Sequence, residues 1–433
     1  MADLARKRNE ELARILHQLG WSPERLSREV NLALPAGLAI SSTAPYKWRD
    51  RGMVPRAPHD QTVCEVLSRT LGIAVTYEQL WGRMGGNRGA KILSPRLLTD
   101  PWTADTAQTA LREAGTDTGP VRLTDLFRGD ELEQATAHWA SPPPAVTGGG
   151  ALRIAPEQLA DLRLSHDGKR RLEQAGGGGL VLGPAKAELA MVGKLLELGS
   201  YGEPLGRELY AAAARLARLV GWANFDMGND AAAQRAYVAA LRAAHACGDP
   251  RLGVSVVGCL AVQATHAPGG PGGRGLDPVA MLSTALLAAD GALEPSERAL
   301  QLGRIARAHG RRGDRAGAEE AAARARLALA GEPDRRQELA DLDGMVGEAY
   351  LLLGEHGSAR ELLAGAVAVL GPPRARAKAL LMVRLADSYR RTGDRAAADR
   401  IADEARGLAA GMQSARVARA LRDFDAAARS GPG

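Results

Sequence analysis

Residues 221–240 read GWANFDMGNDAAAQRAYVAA, and the outline of this stretch recurs three times further along the chain. A glycine-containing turn stands at Gly228, Gly313, Gly354 and Gly393. Small residues occupy the position seven before each glycine and the positions five and twelve after it. Two helices that pack closely need small residues where they cross, and glycine suits the tight turn between them. The pattern therefore predicts a series of helical hairpins in the second half of the chain.

The small residues of this pattern fall into two groups. Before the turns stand Gly221, Ala306, Gly347 and Ala386, and after them stand Ala233, Ala318, Ala359 and Ala398, then Ala240, Ala325, Ala366 and Ala405. Larger side chains, Asn224, His309, Tyr350 and Tyr389, come four residues before each turn glycine.

This arrangement resembles the tetratricopeptide repeat, whose two-helix unit recurs about every 34 residues. Here the last three turn glycines are 41 and 39 residues apart, so longer connections are expected between units. The interval from Gly228 to Gly313 leaves room for one degenerate unit, with residues 266–275 as an enlarged turn. We assign packing roles to Gly221, Gly228, Ala233, Tyr237, Gly313, Ala318, Gly347, Gly354, Ala359, Gly393 and Ala398. About five hairpins are expected, forming an α-solenoid with a concave groove.

Composition predicts an all-α protein of more than one domain. The chain has 433 residues, and only 4% of them are aromatic, so alanine-rich helices must form most of the core. The three cysteines form no Cys-x-x-Cys pair, and no cluster with metal-ligand spacing is present. The sequence holds no 18-residue apolar run free of charge, which argues against a membrane span and favours a cytoplasmic protein.

Two Gly/Pro-rich tracts, at 141–150 and 176–179, are expected to break helices. We predict a head at residues 1–85, a partly helical linker at 86–150, and a repeat domain at 151–433. Within the linker, a helical pattern begins at Asp100-Pro101-Trp102-Thr103, and another covers residues 121–139.

The head carries the signals of short helices in a fixed order. A helix runs from about Leu4 to Leu19, and Ser22-Pro23 begins the next one, followed by an extended connection over residues 31–40. Ser41-Ser42-Thr43-Ala44-Pro45 is a second start signal, and the helix that follows stops at Gly52. Two further helices are predicted around Val63–Leu71 and Tyr77–Trp81.

These signals resemble the XRE-type, phage-repressor-like helix-turn-helix family. The residues that carry the resemblance are Trp48, Gly52 and Pro55, then Leu67, Leu71-Gly72 and Leu80-Trp81. The resemblance implies that the aromatic of the recognition helix anchors the core, that glycine ends this helix and that proline leads into the next. The connection before the recognition helix is longer here than is usual in that family.

A recognition helix of this kind implies contacts to double-stranded DNA. Its N-terminal residues would face base edges and its basic residues would face phosphates. The expected contacts are Ser42, Thr43, Tyr46, Lys47, Arg49, Arg51 and Arg56. Residues 1–90 hold 13 Lys and Arg against 9 Asp and Glu, so positive charge is concentrated at the N-terminal end of a chain with a net charge of +6. The alternative is a small helical bundle with a solvated basic edge.

The order of the parts, a head followed by repeats, resembles a group of actinobacterial transcriptional regulators. That resemblance implies control of transcription, in some members of development or secondary metabolism. Because a single head reads too few base pairs to select one site in a genome, we expect a nucleoid-associated homodimer that reads two half-sites. The repeats would sense a peptide, protein or small molecule, or would only dimerise the head. The other hypothesis is an adaptor whose repeats bind protein partners without DNA recognition. The residues suggest no catalytic group, metal or cofactor.

Overall fold

The computed structural model describes residues 8–34, 38–56, 58–71, 75, 77–81, 96–116, 126–127, 129–266, 276–330 and 335–429. The chain divides into two compact units. The first unit comprises Met1–Ser94 with Arg122–Leu126, and the second comprises Pro95–Val121 with Phe127–Gly433. The predicted helix start at Leu4, Gly72 and the stretch 121–125 lie outside the described residues. The described part of the chain is almost entirely α-helical, which confirms the predicted all-α class.

The first unit is built from short helices around one apolar core. Trp48 and Trp81 meet edge to face in it, with ring centroids 6.2 Å apart. Leu12, Leu26 and Leu67 are fully buried beside them. The helices are α1 (Glu10–Gln18), α2 (Pro23–Ala33), α3 (Ala44–Arg51), α4 (His59–Leu71) and α5 (Tyr77–Trp81).

Asn9 joins three of these helices, although sequence analysis did not single it out. Its side-chain oxygen accepts a hydrogen bond from the Leu12 backbone N–H at 2.9 Å and so caps α1. Its side-chain Nδ2 donates to the Leu80 carbonyl of α5 at 2.6 Å. Its backbone N–H donates to the Arg49 carbonyl of α3 at 2.8 Å. The start of α1 is therefore fixed against both α3 and α5.

The connection between α2 and α3 differs from the predicted extended segment at its start, because α2 continues through Ala33. Asn31 lies in its last turn, and its side chain exchanges two hydrogen bonds with the Ile40 backbone, at 2.8 and 3.0 Å. An amide side chain can imitate a backbone pairing in this way. The long connection is thereby tied back to α2 just before α3 begins.

The predicted side-chain cap of α3 is wrong, since Thr43 occupies the N-cap position but makes no capping hydrogen bond. Its hydroxyl lies 3.0 Å from that of Ser41 instead. The end of α3 is as expected. Gly52 adopts a left-handed φ of 57° and its N–H donates to the Lys47 carbonyl, while Pro55 lies in the half-buried segment that leads to α4.

The second unit consists of packed helices, whose bounds follow. They are α6 (Arg96–Thr99), α7 (Ala104–Gly115), α8 (Gly129–Trp139), α9 (Pro156–Gly176), α10 (Leu182–Leu198), α11 (Glu203–Asp226), α12 (Asp230–Cys247), α13 (Pro250–His266), α14 (Pro278–Ala288), α15 (Pro295–Arg312), α16 (Arg315–Leu329), α17 (Arg336–Leu352), α18 (His356–Val369), α19 (Ala375–Arg391), α20 (Arg395–Ala409) and α21 (Ala415–Arg429). Short 3₁₀ turns at Gly178–Leu180 and Pro372–Arg374 precede α10 and α19.

Four helix pairs, α11/α12, α15/α16, α17/α18 and α19/α20, pack along their lengths. Each pair is joined by a turn whose glycine has a φ between 74° and 89°. After each glycine, the next backbone N–H donates to the carbonyl four residues before that glycine, at 2.8 to 3.0 Å. This shared hydrogen bond ends all four first helices in the same way. The glycines are Gly228, Gly313, Gly354 and Gly393.

The small residues lie where paired helices approach most closely. A Cβ on Gly221 would come within 2.5 Å of the Tyr237 ring, and one on Gly347 within 2.9 Å of Leu363. Ala233, Ala318, Ala359 and Ala398, one in each second helix, and Tyr237 are also buried. Close packing of this kind lets an aromatic-poor sequence form a dense core.

Much of the segment predicted as a linker packs into the second unit. The guanidinium of Arg242, on α12, is buried and donates hydrogen bonds to the carbonyls of Leu97, Asp100 and Pro101 at 2.7 to 3.0 Å. Its Cζ also lies 4.7 Å from the centroid of the Trp102 ring. Burial lowers the pKa of Arg242 to about 10. This arginine therefore holds the residues before α7 against α12.

The glycine tract at 148–150 takes part in a small sheet. The strands are β1 (Gly148–Gly149), β2 (Leu152–Arg153) and β3 (Gly199–Tyr201), with β3 between the other two. β1 runs antiparallel to β3 and β2 runs parallel to it. A Cβ on Gly148 would fall 2.3 Å from the Tyr201 ring, and one on Gly150 would fall 2.1 Å from the Leu198 carbonyl. These glycines are therefore needed for close approach.

Substituting Gly221 should test the close packing of α11 on α12. We expect Gly221→Ala to lower the free energy of unfolding by about 1–3 kcal/mol, because the added methyl group must displace the Tyr237 ring. The control is Gly365→Ala in α18, where nothing lies within 4 Å of the added Cβ. The control should be unchanged or stabilised by about 0.5–1 kcal/mol. Chemical denaturation measures both, and equal effects would contradict this packing.

Candidate functional site

The exposed side of α3 is the candidate surface in the first unit. Pro45 and Trp48 of this helix are buried, whereas Lys47 and Arg51 are exposed. Among the other predicted contact residues, Ser42, Thr43 and Arg56 are exposed as well. Five of the seven predicted DNA contacts are thus accessible to a partner.

The other two predicted contacts, Tyr46 and Arg49, are half-buried and engaged within the unit. The Tyr46 hydroxyl donates a 2.5 Å hydrogen bond to a carboxylate oxygen of Glu24 on α2. Arg49 forms two hydrogen bonds, at 2.7 and 2.9 Å, with Asp50, and its guanidinium lies 5.1 Å from the Tyr46 ring centroid. These contacts join α2 to α3 and neutralise one of the predicted cations.

A group of polar and charged side chains lies in the second unit, and we call it the closure cluster: Glu173, Asp226, Arg376 and Ser414, which are buried, and Arg416, which is half-buried. Arg376, at the start of α19, lies 2.8 Å from a Glu173 oxygen on α9 and 3.4 Å from an Asp226 oxygen at the end of α11. The Ser414 hydroxyl donates to Asp226 at 2.9 Å, just before α21 begins. The cluster therefore joins the first helix pair to the last.

The glycine tract 176–179 packs directly against this cluster. The Gly178 N–H donates to the second Asp226 oxygen at 2.8 Å. The Gly179 N–H donates to the Gln413 carbonyl at 3.0 Å, and the Gln413 N–H donates to the Gly176 carbonyl at 2.8 Å. The tract breaks the helix at Gly176 as predicted, and its lack of side chains also lets the backbone enter a crowded site.

Helix α21 is held by apolar contacts and by Arg416. Val417, Ala420 and Phe424 are buried, and α21 packs on α19 and α20. At its start, the Arg416 guanidinium lies 4.4 Å from the Phe225 ring centroid on α11. The helix thus covers the last pair and also contacts the first one.

Burial shifts the titration of two members of the closure cluster. It raises the pKa of Glu173, although Arg376 acts in the opposite direction, and it lowers the pKa of Arg416 to about 10. Both shifts disfavour the charged forms, so each member of the cluster depends on its oppositely charged neighbours.

A cavity of about 200 Å³ opens beside the cluster, and we call it the arginine pocket. Its walls come from α13 and from α15, α17 and α19, which are the first helices of three successive pairs. The lining residues are Thr265, His266, Arg307, Arg311, Glu348, Leu351, Leu352, Arg384, Asp387 and Arg391. Four arginines therefore face two carboxylates and a short apolar wall.

Glu348 occupies the middle of this lining. Arg307, Arg384 and His266 lie 3.3, 3.5 and 3.9 Å from its oxygens. Burial would raise the pKa of Glu348, but these neighbours lower it to about 2, so it stays ionised. Burial and the nearby Arg416 and Arg307 lower the pKa of His266 well below its usual value, so the ring is neutral near pH 7.

Other kinds of site receive no support from the described residues. No group of three or more His, Cys, Asp or Glu side chains there could hold a metal ion. In the same ranges, no helix is long and apolar enough to cross a membrane. Cys64, Cys247 and Cys259 are buried.

Sequence analysis did not identify the closure cluster or the arginine pocket. Glu173, Asp226 and Arg376 are far apart in the chain and belong to no motif. The one available signal was charge at buried positions of the packed helices, such as Asp226, two residues before Gly228. Unless the packing of the helices is known, these buried charged residues cannot be told apart from charged residues on a solvated surface.

Comparison with known proteins adds one finding. The family model of the SP15 N-terminal domain matches residues 12–81, which correspond to α1–α5 of the first unit. No curated protein matches the chain. The resemblances to XRE-type regulators and to tetratricopeptide repeats therefore stay predictions.

Replacing Arg376 should test the closure cluster. We expect Arg376→Met to lower the free energy of unfolding by about 3–5 kcal/mol, because it leaves two buried carboxylates without their cation. The loss should be smaller near about pH 5 than near about pH 8. Arg376 lowers the pKa of Glu173 against the effect of burial, so its removal raises this pKa further, and a carboxyl group with a raised pKa contributes stability at low pH that is lost as pH rises.

The control is Arg400→Met, which removes an exposed pair with Glu404 within α20. Its effect should stay below about 1 kcal/mol at both pH values. Chemical denaturation at the two pH values measures the free energy of unfolding of both variants and the parent. An Arg376→Met protein no less stable than the control would show that the cluster contributes nothing to closure.

Proposed function

We propose that the protein is a DNA-binding transcriptional regulator with an XRE-type helix-turn-helix head and a tetratricopeptide-like α-solenoid body. The observation that carries the proposal is the division of α3 into two sides. Trp48 is buried against Trp81, while Lys47 and Arg51 are exposed on the same short helix. A helix with this division can enter the major groove without unfolding its own domain.

The start of α3 supports the same proposal. Ser42 and Thr43 are exposed, and the Thr43 side chain makes no capping bond to the helix backbone, so its hydroxyl can turn toward a base edge. Arg56, beyond Gly52, adds an exposed positive charge. Tyr46 and Arg49 have a different proposed role, since their bonds to Glu24 and Asp50 position the helix.

For the body, the proposal rests on the four helix pairs with identical turns. Stacked pairs of this kind form a solenoid in which the first helices line a concave side. The arginine pocket, lined by α13, α15, α17 and α19, would lie on that side. We propose that the body senses a signal there, and that the protein acts as a cytoplasmic homodimer.

The alternative is an adaptor whose body binds a protein partner while the head packs on protein. The observation that favours it is the partial neutralisation of the basic edge, where Arg49 is paired with Asp50. DNA binding decides between the two proposals, because only the regulator needs it.

The head proposal predicts salt-dependent binding to DNA. The full chain should bind a mixed-sequence duplex with an affinity that falls steeply as salt rises, because phosphate contacts release counterions. Lys47→Ala combined with Arg51→Ala should weaken binding and reduce the salt slope by about 1 for each lost phosphate contact. Fluorescence anisotropy at several salt concentrations measures both quantities.

The control for this experiment is Arg14→Ala, which removes an exposed arginine of α1 already paired with Glu11. It should leave the affinity and the slope nearly unchanged. Equal binding by the double variant and the parent would refute the docking through α3. No binding by the parent at low salt would favour the adaptor.

The homodimer proposal predicts a particle of twice the chain mass and an operator with two half-sites about one helical turn apart. Light scattering with and without DNA measures the mass, and genome-wide mapping of occupied sites gives the half-site spacing. A monomer under both conditions would exclude the dimer. Because α21 buries Val417 and Phe424 within the unit, we do not place the dimer surface on that face of the helix.

A further inference from the structure

The arginine pocket has more positive charge than its own carboxylates can balance. Glu348 is shared by Arg307 and Arg384, and Asp387 is paired with Arg390 and Arg391. The two acidic groups of the lining are therefore already engaged. Four arginines against two carboxylates leave a net positive lining, since burial keeps His266 neutral.

Several guanidinium donors of the pocket have no hydrogen-bond partner among the residues that the structure describes. The Nε of Arg307 is buried and has no hydrogen-bond partner, and the Arg307 side chain is nine-tenths buried. Arg391 uses its Nε for Asp387. Arg311, at the rim, has no ion-pair partner among the described residues. A buried donor without a partner costs free energy, so a ligand that accepts its hydrogen bond gains affinity.

We propose that the arginine pocket binds an anionic group, a carboxylate or a phosphate, through Arg307, Arg311, Arg384 and Arg391. Planar guanidinium groups match the two oxygens of such anions and hold them by paired hydrogen bonds. Glu348 keeps Arg307 and Arg384 in place from within the lining. This proposal rests on the proposed sensing function, in which the bound anion would be the signal, and it adds the chemical class of that ligand.

The size of the pocket and its apolar wall further restrict the class of ligand that it can bind. A volume of about 200 Å³ is below the range of about 300–1,000 Å³ that is typical for whole drug-sized ligands. It suits a small organic anion or one terminal group of a longer chain. Leu351 and Leu352 supply an apolar wall, so an anion attached to a short aliphatic part fits better than a bare ion.

Calorimetric titration of the full chain, without DNA and at constant ionic strength, tests the proposal. The probes are inorganic phosphate, succinate, and a short acetylated Ala-Leu peptide with either a free carboxylate or an amide at its C-terminus. We expect saturable binding of at least one anionic probe. Preference for the peptide acid would indicate a chain terminus as the source, and preference for phosphate or succinate would indicate a free small anion.

Variants show whether such binding takes place in the pocket. Arg311→Met and Arg384→Met should each weaken it by about tenfold or more, because a charge-assisted hydrogen bond is lost. Arg311 is exposed, so its variant should fold normally even if Arg384→Met disturbs Glu348. The matched control is Arg324→Met on α16, which removes an exposed arginine outside the pocket and should bind like the parent.

Three results would overturn the proposal. The first two are no saturable binding of any anionic probe and equal binding by both pocket variants and the parent. Binding of the peptide amide as tightly as the acid would also overturn it, since the anion would then be unnecessary. Because the titration contains no DNA, it does not depend on whether the first unit binds DNA. The anisotropy experiment tests that question separately.

Discussion

The distance at which paired helices cross is the constraint on which the second unit depends. With only three Phe in 433 residues, the chain cannot fill wide gaps between helices with large side chains. It closes the gaps instead, as where Gly221 lets the Tyr237 ring lie against the α11 backbone. Buried alanines stand at the corresponding position of the second helix in the other pairs: Ala318, Ala359 and Ala398. Dispersion contacts over this many small groups then replace the burial of a few aromatic rings.

Close crossings leave little room for side chains between the first and last pairs, and charged groups make that connection. Arg376 reaches Glu173 and Asp226 from α19, and Gly178 brings a backbone N–H to the same carboxylate. Burying charges is costly, so such a cluster contributes less to net stability than an apolar contact of equal size. It does define one register, since a shifted helix would leave a carboxylate unpaired. The closure cluster therefore fixes the register of the helices more than it adds to the net stability of the unit.

Local signals predicted much of the fold, because they depend on neighbours in the chain. Ser22-Pro23 marked the start of α2, Gly52 the end of α3, and the turn glycines the joints of the helix pairs. The roles of Asn9, Asn31 and Arg242 could not be predicted, since each side chain bonds to a backbone that only the tertiary fold brings near. For the same reason, the segment interpreted as a linker contributes helices to the second unit. For the exposed side of α3, the sequence suggested which residues are candidates for DNA contact. It could not indicate that Glu24 and Asp50 engage Tyr46 and Arg49.

The closure cluster and the arginine pocket meet at His266. Its ring contacts Phe225 at a centroid distance of 6.0 Å, its Nε2 lies 3.5 Å from Arg416, and the same nitrogen lies 3.9 Å from Glu348. Arg416 begins α21, and Glu348 lies in the pocket lining. A ligand that drew Arg384 away from Glu348 would therefore change the charge beside His266. Through His266 it would also change the surroundings of Arg416 at the start of α21. The neutral His266 ring thus links the pocket lining to the start of α21, because its Nε2 can accept a hydrogen bond from Arg416 only while that nitrogen carries no proton.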